Sequence, residues 1–363
     1  MSKRVVHVAN FPQVRLKGCF LDSMPFKITN GLTRLGYQVV NYSDRDALRM
    51  FGIFGHMNIF SNKKANSNFL EYCKVVQPDA IILEHADTIF ASTLLEVKKI
   101  LPGVKIMQIN VDDINPKLGF HNINNLKSKL DVVDWTLITT ADATRFEIFG
   151  EKYQDKIGFI PNPVDDSIET GKAFEHENLE YDVICAANPK INRQFCGKFE
   201  NTSDIIDRVM KNIDMNKVLF PKVVGDKLDG ANYQKTIANC AMGINLSRIN
   251  EDYLYSSDRL AHLMGNGSLA IIDKRTGYGD IFSNEEAAFY GTEEELFDVI
   301  DYYRKNPKER MHVARNGWKK YHAMFNEKLI AKYVAELLFG GFEKSKYFWP
   351  TIGGKKTTGV EEE

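Results

Sequence analysis

The stretch Tyr255–Asp273, YSSDRLAHLMGNGSLAIID, brings together residue types that can hold an anion. Ser256 or Ser257 can cap a helix by accepting a hydrogen bond from a first-turn amide. The remaining first-turn N–H groups and the positive end of the helix dipole then face outward, which suits a phosphate. Arg259 adds a full cation in that first turn, where it opposes the dipole unless an anion stands in front of it. Leu260, Leu263 and Met264 follow at helical spacing, glycine stops the helix, and SLAIID reads as a buried strand. The alternative is an ordinary helix–strand junction with a surface arginine.

Further polar residues stand where strands are expected to end, the positions from which side chains of an α/β sheet reach a ligand. His85 and Asp87 follow the predicted strand Ala80–Leu83, and Asp112 follows Lys105–Asn110. Asp112-Asp113 can also serve as a loop cap before the next helix. Asp44-Arg45-Asp46 has the DxD spacing of some metal sites, yet it follows a second strand and reads as helix capping. The loop from Asn10 through Gly18 follows the first strand but lacks GxGxxG. With no clustered His, Cys and carboxylate spacing, neither a metal nor a cofactor is expected.

These residues need a scaffold, and the 363-residue chain is long enough for two domains. Its 44% hydrophobic and 26% charged residues are those of a globular protein. A net charge of −1 without a basic stripe argues against a nucleic-acid partner. The five cysteines are scattered without CxxC spacing and read as reduced thiols in a cytoplasmic protein. MSKRVVHVANF reads as a first strand and not as a signal peptide, and no segment approaches a membrane span.

Along the chain, strand and helix patterns alternate from Arg4–Ala9 onward: helix over 22–35, strand 37–42, helix 67–76, strand 80–83, helix 92–100, strand 105–110, a polar stretch, strand 135–139, helix 143–149 and strand 157–160. That is the signature of a doubly wound parallel sheet. Residues 1–163 form the first expected domain. The charged, aperiodic 164–180 reads as a linker. The pattern then restarts over 181–325, with strands 181–187, 217–224, 242–246 and 268–273 and helices 203–213 and 231–241. Thr292-Glu293-Glu294-Glu295 is a capping box, and Asn306-Pro307 separates two further helices. A closing helix is expected within 326–345 and a flexible tail over 346–363. The fold class is α/β, with two Rossmann-like domains facing across a cleft.

The second half resembles the glycosyltransferases of GT-B fold, and within them the CgeB-like group with a family-one type glycosyl transferase domain. The resemblance rests on YDVICAANPKINR, CAMGINLSR, SSDRLAHLMGNGSLAIID and GDIFSNEEAAFYGTEEELFDVIDYYRKNPKER, in that order and spacing. The first half is similar only in VQPDAIILEH and VKIMQINVDDINP. The resemblance implies a metal-independent transferase. Its C-terminal domain would hold a nucleotide-sugar donor and its N-terminal domain would present the acceptor, a glycan or a lipid-linked hydroxyl of a bacterial surface polymer such as lipopolysaccharide or capsule. A lipid-linked acceptor would bring the protein to the inner face of the membrane.

It also implies roles. Arg193, in a loop and helix start after the 181–187 strand, and Lys190 beside it would neutralise the donor diphosphate. Ser257 and Arg259 would stand near the same phosphates, with Asn245 facing the donor. His262 falls where related helices carry a glutamate that grips the donor ribose. A neutral imidazole offers one donor and one acceptor where a carboxylate can clamp two hydroxyls, and a satisfied helix histidine is the alternative. Gly18 would approach the donor through its backbone. An inverting reaction needs a general base for the acceptor hydroxyl, which Asp112 would supply, with His85 and Asp87 as competitors. Two other readings are a two-lobed protein that closes on a sugar or anion without turnover, and a structural relative of the transferases.

Overall fold

The structure, a computed structural model, describes residues 2–13, 18–52, 59–212, 218–219, 228 and 230–353. The chain divides into two compact units, Met1–Ile160 with Glu327–Glu363, and Pro161–Asn326.

In the first unit the order is β1 (Arg4–Ala9), α1 (Met24–Arg34), β2 (Gln38–Ser43), α2 (Asp44–Met50), α3 (Ile59–Val76), β3 (Ala80–Glu84), α4 (Ala91–Ile100), β4 (Lys105–Asn110), α5 (Phe120–Lys127), β5 (Trp135–Ile138), α6 (Ala143–Glu147) and β6 (Ile157–Phe159). All six strands are parallel, in the order β2-β1-β3-β4-β5-β6. Helices cover the sheet, so β3 and most of β1 and β4 are unbroken buried runs, as parallel strands require. The polar stretch after β4 contains α5, whose buried Ile123 and Leu126 were too few to show a period.

The second unit runs β7 (Tyr181–Ile184), β8 (Asn192–Phe195), β9 (Lys198–Asn201), α7 (Thr202–Asn212), β10 (Val218–Leu219), α8 (Gly230–Ala238), β11 (Cys240–Asn245), α9 (Asp258–Gly265), β12 (Leu269–Asp273), β13 (Ala288–Tyr290), α10 (Glu293–Lys305) and α11 (Pro307–Met324). Its main sheet is parallel in the order β10-β7-β11-β12-β13, and β8 and β9 form a separate antiparallel hairpin. The expected strand over 217–224 is seen only at 218–219, and the rest of it lies outside the described residues. Gly243 of β11 lets α9 lie flat on the sheet, because a Cβ there would stand 2.0 Å from a Leu263 methyl. Thr292 caps α10 by accepting from Glu295 N, while Glu295 reaches back to Gly291 N at 2.7 Å, one residue short of a reciprocal capping box.

Three boundaries differ from the sequence-based expectation. Residues 164–180 are no loose linker. They belong to the second unit and bury Val164, Asp165, Glu169, Ala173 and Phe174. The closing helix α12 (Glu327–Phe339) packs with the first unit, on α1. The segment expected to be a flexible tail is ordered through Gly353: Trp349 and Thr351 are buried, and Phe159 N donates to Thr351 O at 2.9 Å. Residues 354–363 of the expected tail lie outside the described residues.

Gly31 sets the crossing of α1 and α12. A Cβ there would lie 2.2 Å from the Glu327 carbonyl oxygen, a backbone atom with no rotamer in which to escape. Gly31→Ala is expected to destabilise the first unit by about 1–3 kcal/mol, the range of overpacking, although alanine is the better helix former. Urea unfolding of the full chain measures it, and an unchanged or higher midpoint would contradict this account of the crossing.

Candidate functional site

In the second unit the chain order reverses between β7 and β11, since β10 lies on the far side of β7. Ligands of open α/β sheets bind at such a switch point, beyond the carboxyl ends of the strands. Here the residues past those ends are Ala186 and Leu246, and both present carbonyls to arginines. Arg259, in the first turn of α9, donates from Nε to Ala186 O at 2.9 Å and from Nη1 to Leu246 O at 2.9 Å. Arg193 donates from Nη1 to the same Leu246 oxygen at 3.0 Å. One carbonyl therefore gathers two guanidinium groups, and among the described residues neither forms an ion pair with a carboxylate.

Arg193 is 8% exposed, and burial, with the Arg259 charge second, lowers its pKa to about 10. Its Nε is enclosed without a partner, as are Asn245 Nδ2 and Ser247 Oγ. Ser257 rather than Ser256 caps α9: its Oγ accepts from Leu260 N and donates to Asn245 Oδ1 at 3.2 Å. Ser256 is buried and accepts from Asn162 N at 2.8 Å. Orphaned polar atoms, two unneutralised cations and a capped helix N-terminus thus converge at the switch point, an arrangement that suits an anion with several oxygens.

Arg193 does not stand in a loop and helix start as expected from the sequence. It lies on β8, within NRQF-CG-KFEN. Cys196 and Gly197 both have positive φ, 49° and 82°, the geometry of a two-residue primed turn. Two short alternating runs around Cys-Gly were the available signal for this hairpin. The hairpin is tied to the loop after β11 through Gln194, whose Oε1 accepts from Asn250 N at 2.9 Å. Lys190 is exposed on the turn before β8, and its backbone N donates to Asn188 Oδ1 at 3.0 Å. Ser247 and the Ala186 and Leu246 carbonyls were not legible, since a backbone oxygen carries no signature in sequence.

His262 lies three residues after Arg259 and is 3% exposed. Its Nδ1 is 2.6 Å from Glu169 Oε1 and 2.9 Å from Gln234 Nε2, and its ring meets Tyr233 edge-on. One side of the ring is therefore satisfied within the protein.

In the first unit, His85 and Asp112 come together: His85 Nε2 is 3.4 Å from Asp112 Oδ2. The histidine has φ +50°, an uncommon conformation for a side-chain-bearing residue, which Val111 N supports by donating to Nε2 at 3.3 Å. Asp112 is 67% exposed, while the capping role falls to Asp113, whose Oδ1 accepts from Asn115 N at 2.6 Å. Asp87 is occupied, accepting from Arg45 at 2.9 Å and from Asn125 at 3.3 Å. Gly18, with φ +76°, closes a turn on Pro12 O, and residues 14–17 of its loop lie outside the described residues. Asp44 and Asp46 are not helix caps but the first turn of α2 itself. Asp46 holds Arg49 and Gln13 N, and Asp44 accepts from Thr88 Oγ1 at 2.7 Å.

The family model described as glycosyl transferase-like matches residues 216–336. Among solved structures the chain is similar to HepE of Anabaena in complex with UDP and glucose, at 13% identity and a TM-score of 0.55, covering 93% of this chain and 99% of that one. It is also similar to the sucrose-phosphate synthase of Thermosynechococcus elongatus, at 10% identity and a TM-score of 0.58, covering 92% and 98%. A glycosyltransferase from Rickettsia africae is similar over 94% of this chain and all of that one, at 11% identity and a TM-score of 0.57. No curated protein matches. The fold is that of the GT-B glycosyltransferases, with two Rossmann-like units. Within that fold, the glycosyl transferase-like family match falls on residues 216–336.

Asp44 offers a test of the first unit's polar cluster. Burial raises its carboxyl from 3.8 to about 6, against the opposing Thr88 hydrogen bond and Arg45 charge. Between those values the folded state binds more protons than the unfolded chain. The contribution of Asp44 is therefore full below pH 4 and lost as pH rises through 6, a change of about 3 kcal/mol at most. Asp44→Asn is expected to flatten the stability profile between pH 4 and 6 and to stabilise the protein at pH 7. Urea midpoints across that range measure it, and parallel profiles for the two proteins would refute the assignment.

Proposed function

We propose that the protein transfers a sugar from a nucleoside diphosphate donor to a hydroxyl of a glycan or lipid-linked acceptor, without a metal ion. The observation that carries this reading is the pair of guanidinium groups, Arg193 and Arg259, gathered on the Leu246 carbonyl without a carboxylate partner among the described residues. In the reaction the bond between the anomeric carbon and the diphosphate oxygen breaks as the acceptor oxygen attacks. Negative charge collects on the departing diphosphate. Two cations, the amide of Asn245 and the first-turn N–H groups of α9 meet that charge in a fixed arrangement, the form of electrostatic stabilisation that contributes most in enzymes. The acceptor hydroxyl loses its proton to Asp112, which stands 67% exposed past the end of β4.

HepE has been solved with UDP and with UDP-glucose, which makes uridine diphosphates the first donors to try. A lipid-linked acceptor would bring the protein to a membrane surface without a span of its own, and no described helix is long and apolar enough to cross one.

Arg193→Ala and Arg259→Ala are each expected to lower kcat by about 10²–10³, the cost of one preorganised charge donor. UDP at 100 times its dissociation constant should stabilise the wild type by about 2.7 kcal/mol. A thermal shift that survives EDTA and vanishes in Arg193→Ala would support a metal-independent diphosphate site. Near-normal turnover in both arginine variants would overturn the reading. Asp112→Asn should cost about 10²–10⁴ in kcat while leaving the UDP shift intact, and full activity in that variant would remove Asp112 from the reaction.

A further inference from the structure

Glu169 lies in the segment that reads as a linker in the sequence, yet the structure seals it against α9. Its Oε2 accepts from Asp165 N at 2.8 Å and its Oε1 lies 2.6 Å from His262 Nδ1. This approach needs Gly265, where a Cβ would stand 2.8 Å from both Glu169 Cγ and a Val164 methyl. It is held at its far end by Gly171 N, which donates to Asn266 Oδ1 at 2.9 Å. Asn266 Nδ2 in turn donates to His262 O at 3.0 Å and to Gln234 Oε1 at 2.8 Å, which turns the Gln234 NH₂ toward the imidazole.

Two groups thus compete for one ring nitrogen. A single Nδ1 cannot both accept from Gln234 and donate to Glu169, and the shorter contact with the carboxylate takes the proton onto Nδ1. That leaves the lone pair on Nε2. This atom has no hydrogen-bond partner among the described residues. Residues three apart on a helix are neighbours on one face, so His262 stands beside Arg259, one step along α9 from the anion site.

We infer that Glu169 is a positioning residue that fixes His262 as its Nδ1–H tautomer, so that Nε2 accepts one sugar hydroxyl of the bound donor nucleotide. The inference rests on the reading of the second unit as a nucleoside diphosphate site. A carboxylate carried on the helix itself could accept two hydroxyls. Set behind an imidazole, it passes on a single acceptor. Glu169→Gln keeps the shape but alters the proton count. Its one oxygen goes to the obligatory Asp165 N–H, its NH₂ faces Nδ1, and the imidazole turns to the Nε2–H form, a donor in place of an acceptor.

The test has two readouts on the full-length chain. Nitrogen-15 NMR of labelled histidine should show a bare Nε2 in the wild type and a protonated one in Glu169→Gln. Calorimetric binding of UDP, GDP, ADP and CDP selects the nucleotide, and its 2′-deoxy and 3′-deoxy forms are then compared. The wild type should lose about tenfold or more in affinity for one deoxy form and little for the other, the effect of one hydrogen bond. Glu169→Gln and His262→Asn should bind the parent nucleotide about tenfold more weakly and no longer tell the deoxy forms apart, with the double variant no worse than either single one. Unaltered binding and selectivity in Glu169→Gln, whatever its melting temperature, would reduce the pair to a structural contact and overturn the inference alone. Wild-type protein that binds none of the four, or binds one unaffected by Arg193→Ala, would overturn the donor-site reading and this inference with it.

Discussion

The second unit is organised around one carbonyl oxygen. Leu246 lies just past β11 and accepts from Arg193 and Arg259 together. Two like charges drawn to one dipole in a partly enclosed place carry a standing electrostatic cost, which burial increases and which shows in the lowered pKa of Arg193. The surrounding structure over-determines the arrangement. The β7–β11 pairing brings the Ala186 and Leu246 carbonyls side by side, Gly243 lets α9 approach closely enough for Arg259 to reach both, and the Cys196-Gly197 turn returns β9 on β8. Stability is given up locally so that charge waits in place. An ordered array of this kind has no need to reorganise when a diphosphate develops charge, which is why such sites catalyse better than water does.

Buried polar groups elsewhere follow the same accounting with a different result. In the first unit His7 Nδ1 lies 3.0 Å from Thr29 Oγ1, which donates to Asn41 Oδ1 at 2.9 Å, and His7 Nε2 lies 3.2 Å from Glu84 Oε2. Full burial pushes the imidazole pKa down to about 3. Lys129 is likewise buried, pushed down to about 8 by loss of water against the attraction of Asp87 and Asp44, and it donates to Asn125 Oδ1. It lines a small cavity of about 10 Å³, room for one water, together with His85, Gln108 and Asn110. These groups are tied to one another and specify how helices and strands meet. The arginine pair in the second unit lacks such closure.

Much of the architecture was legible because parallel sheets leave a strong trace. Strands buried on both faces give runs such as AIIL and LAIID, and Ser257, Thr292 and Pro307 mark helix starts through capping chemistry that acts within a few residues. The arginine in the first turn of α9 was legible to the same extent, since a cation there conflicts with the dipole wherever it lies. What escaped depended on distance in sequence. Residues 164–180 have no period, so nothing local told that Glu169 would reach His262, 93 positions away. The same holds for the segment near Trp349, which carries tail-like polarity around it but packs its ring on Tyr333. Arg193 was placed in a loop and helix start and lies instead on a strand, because a hairpin with four-residue arms offers little alternation to read.

The two clusters differ in how much the protein invests in them, and the difference follows their chemistry. Stabilising a leaving diphosphate asks for charge that is already oriented and shielded, and Arg193 is 8% exposed with its Nε enclosed. Accepting a proton from a hydroxyl asks for a carboxylate that a substrate can reach. Asp112 is 67% exposed and lies 3.4 Å from His85 Nε2, a nitrogen that accepts from Val111 N and sits on a left-handed backbone, so the carboxylate stays in water. On the proposed reaction, an oriented cation pair in one unit and a solvent-exposed carboxylate in the other would divide the two tasks, charge stabilisation and proton removal, between them.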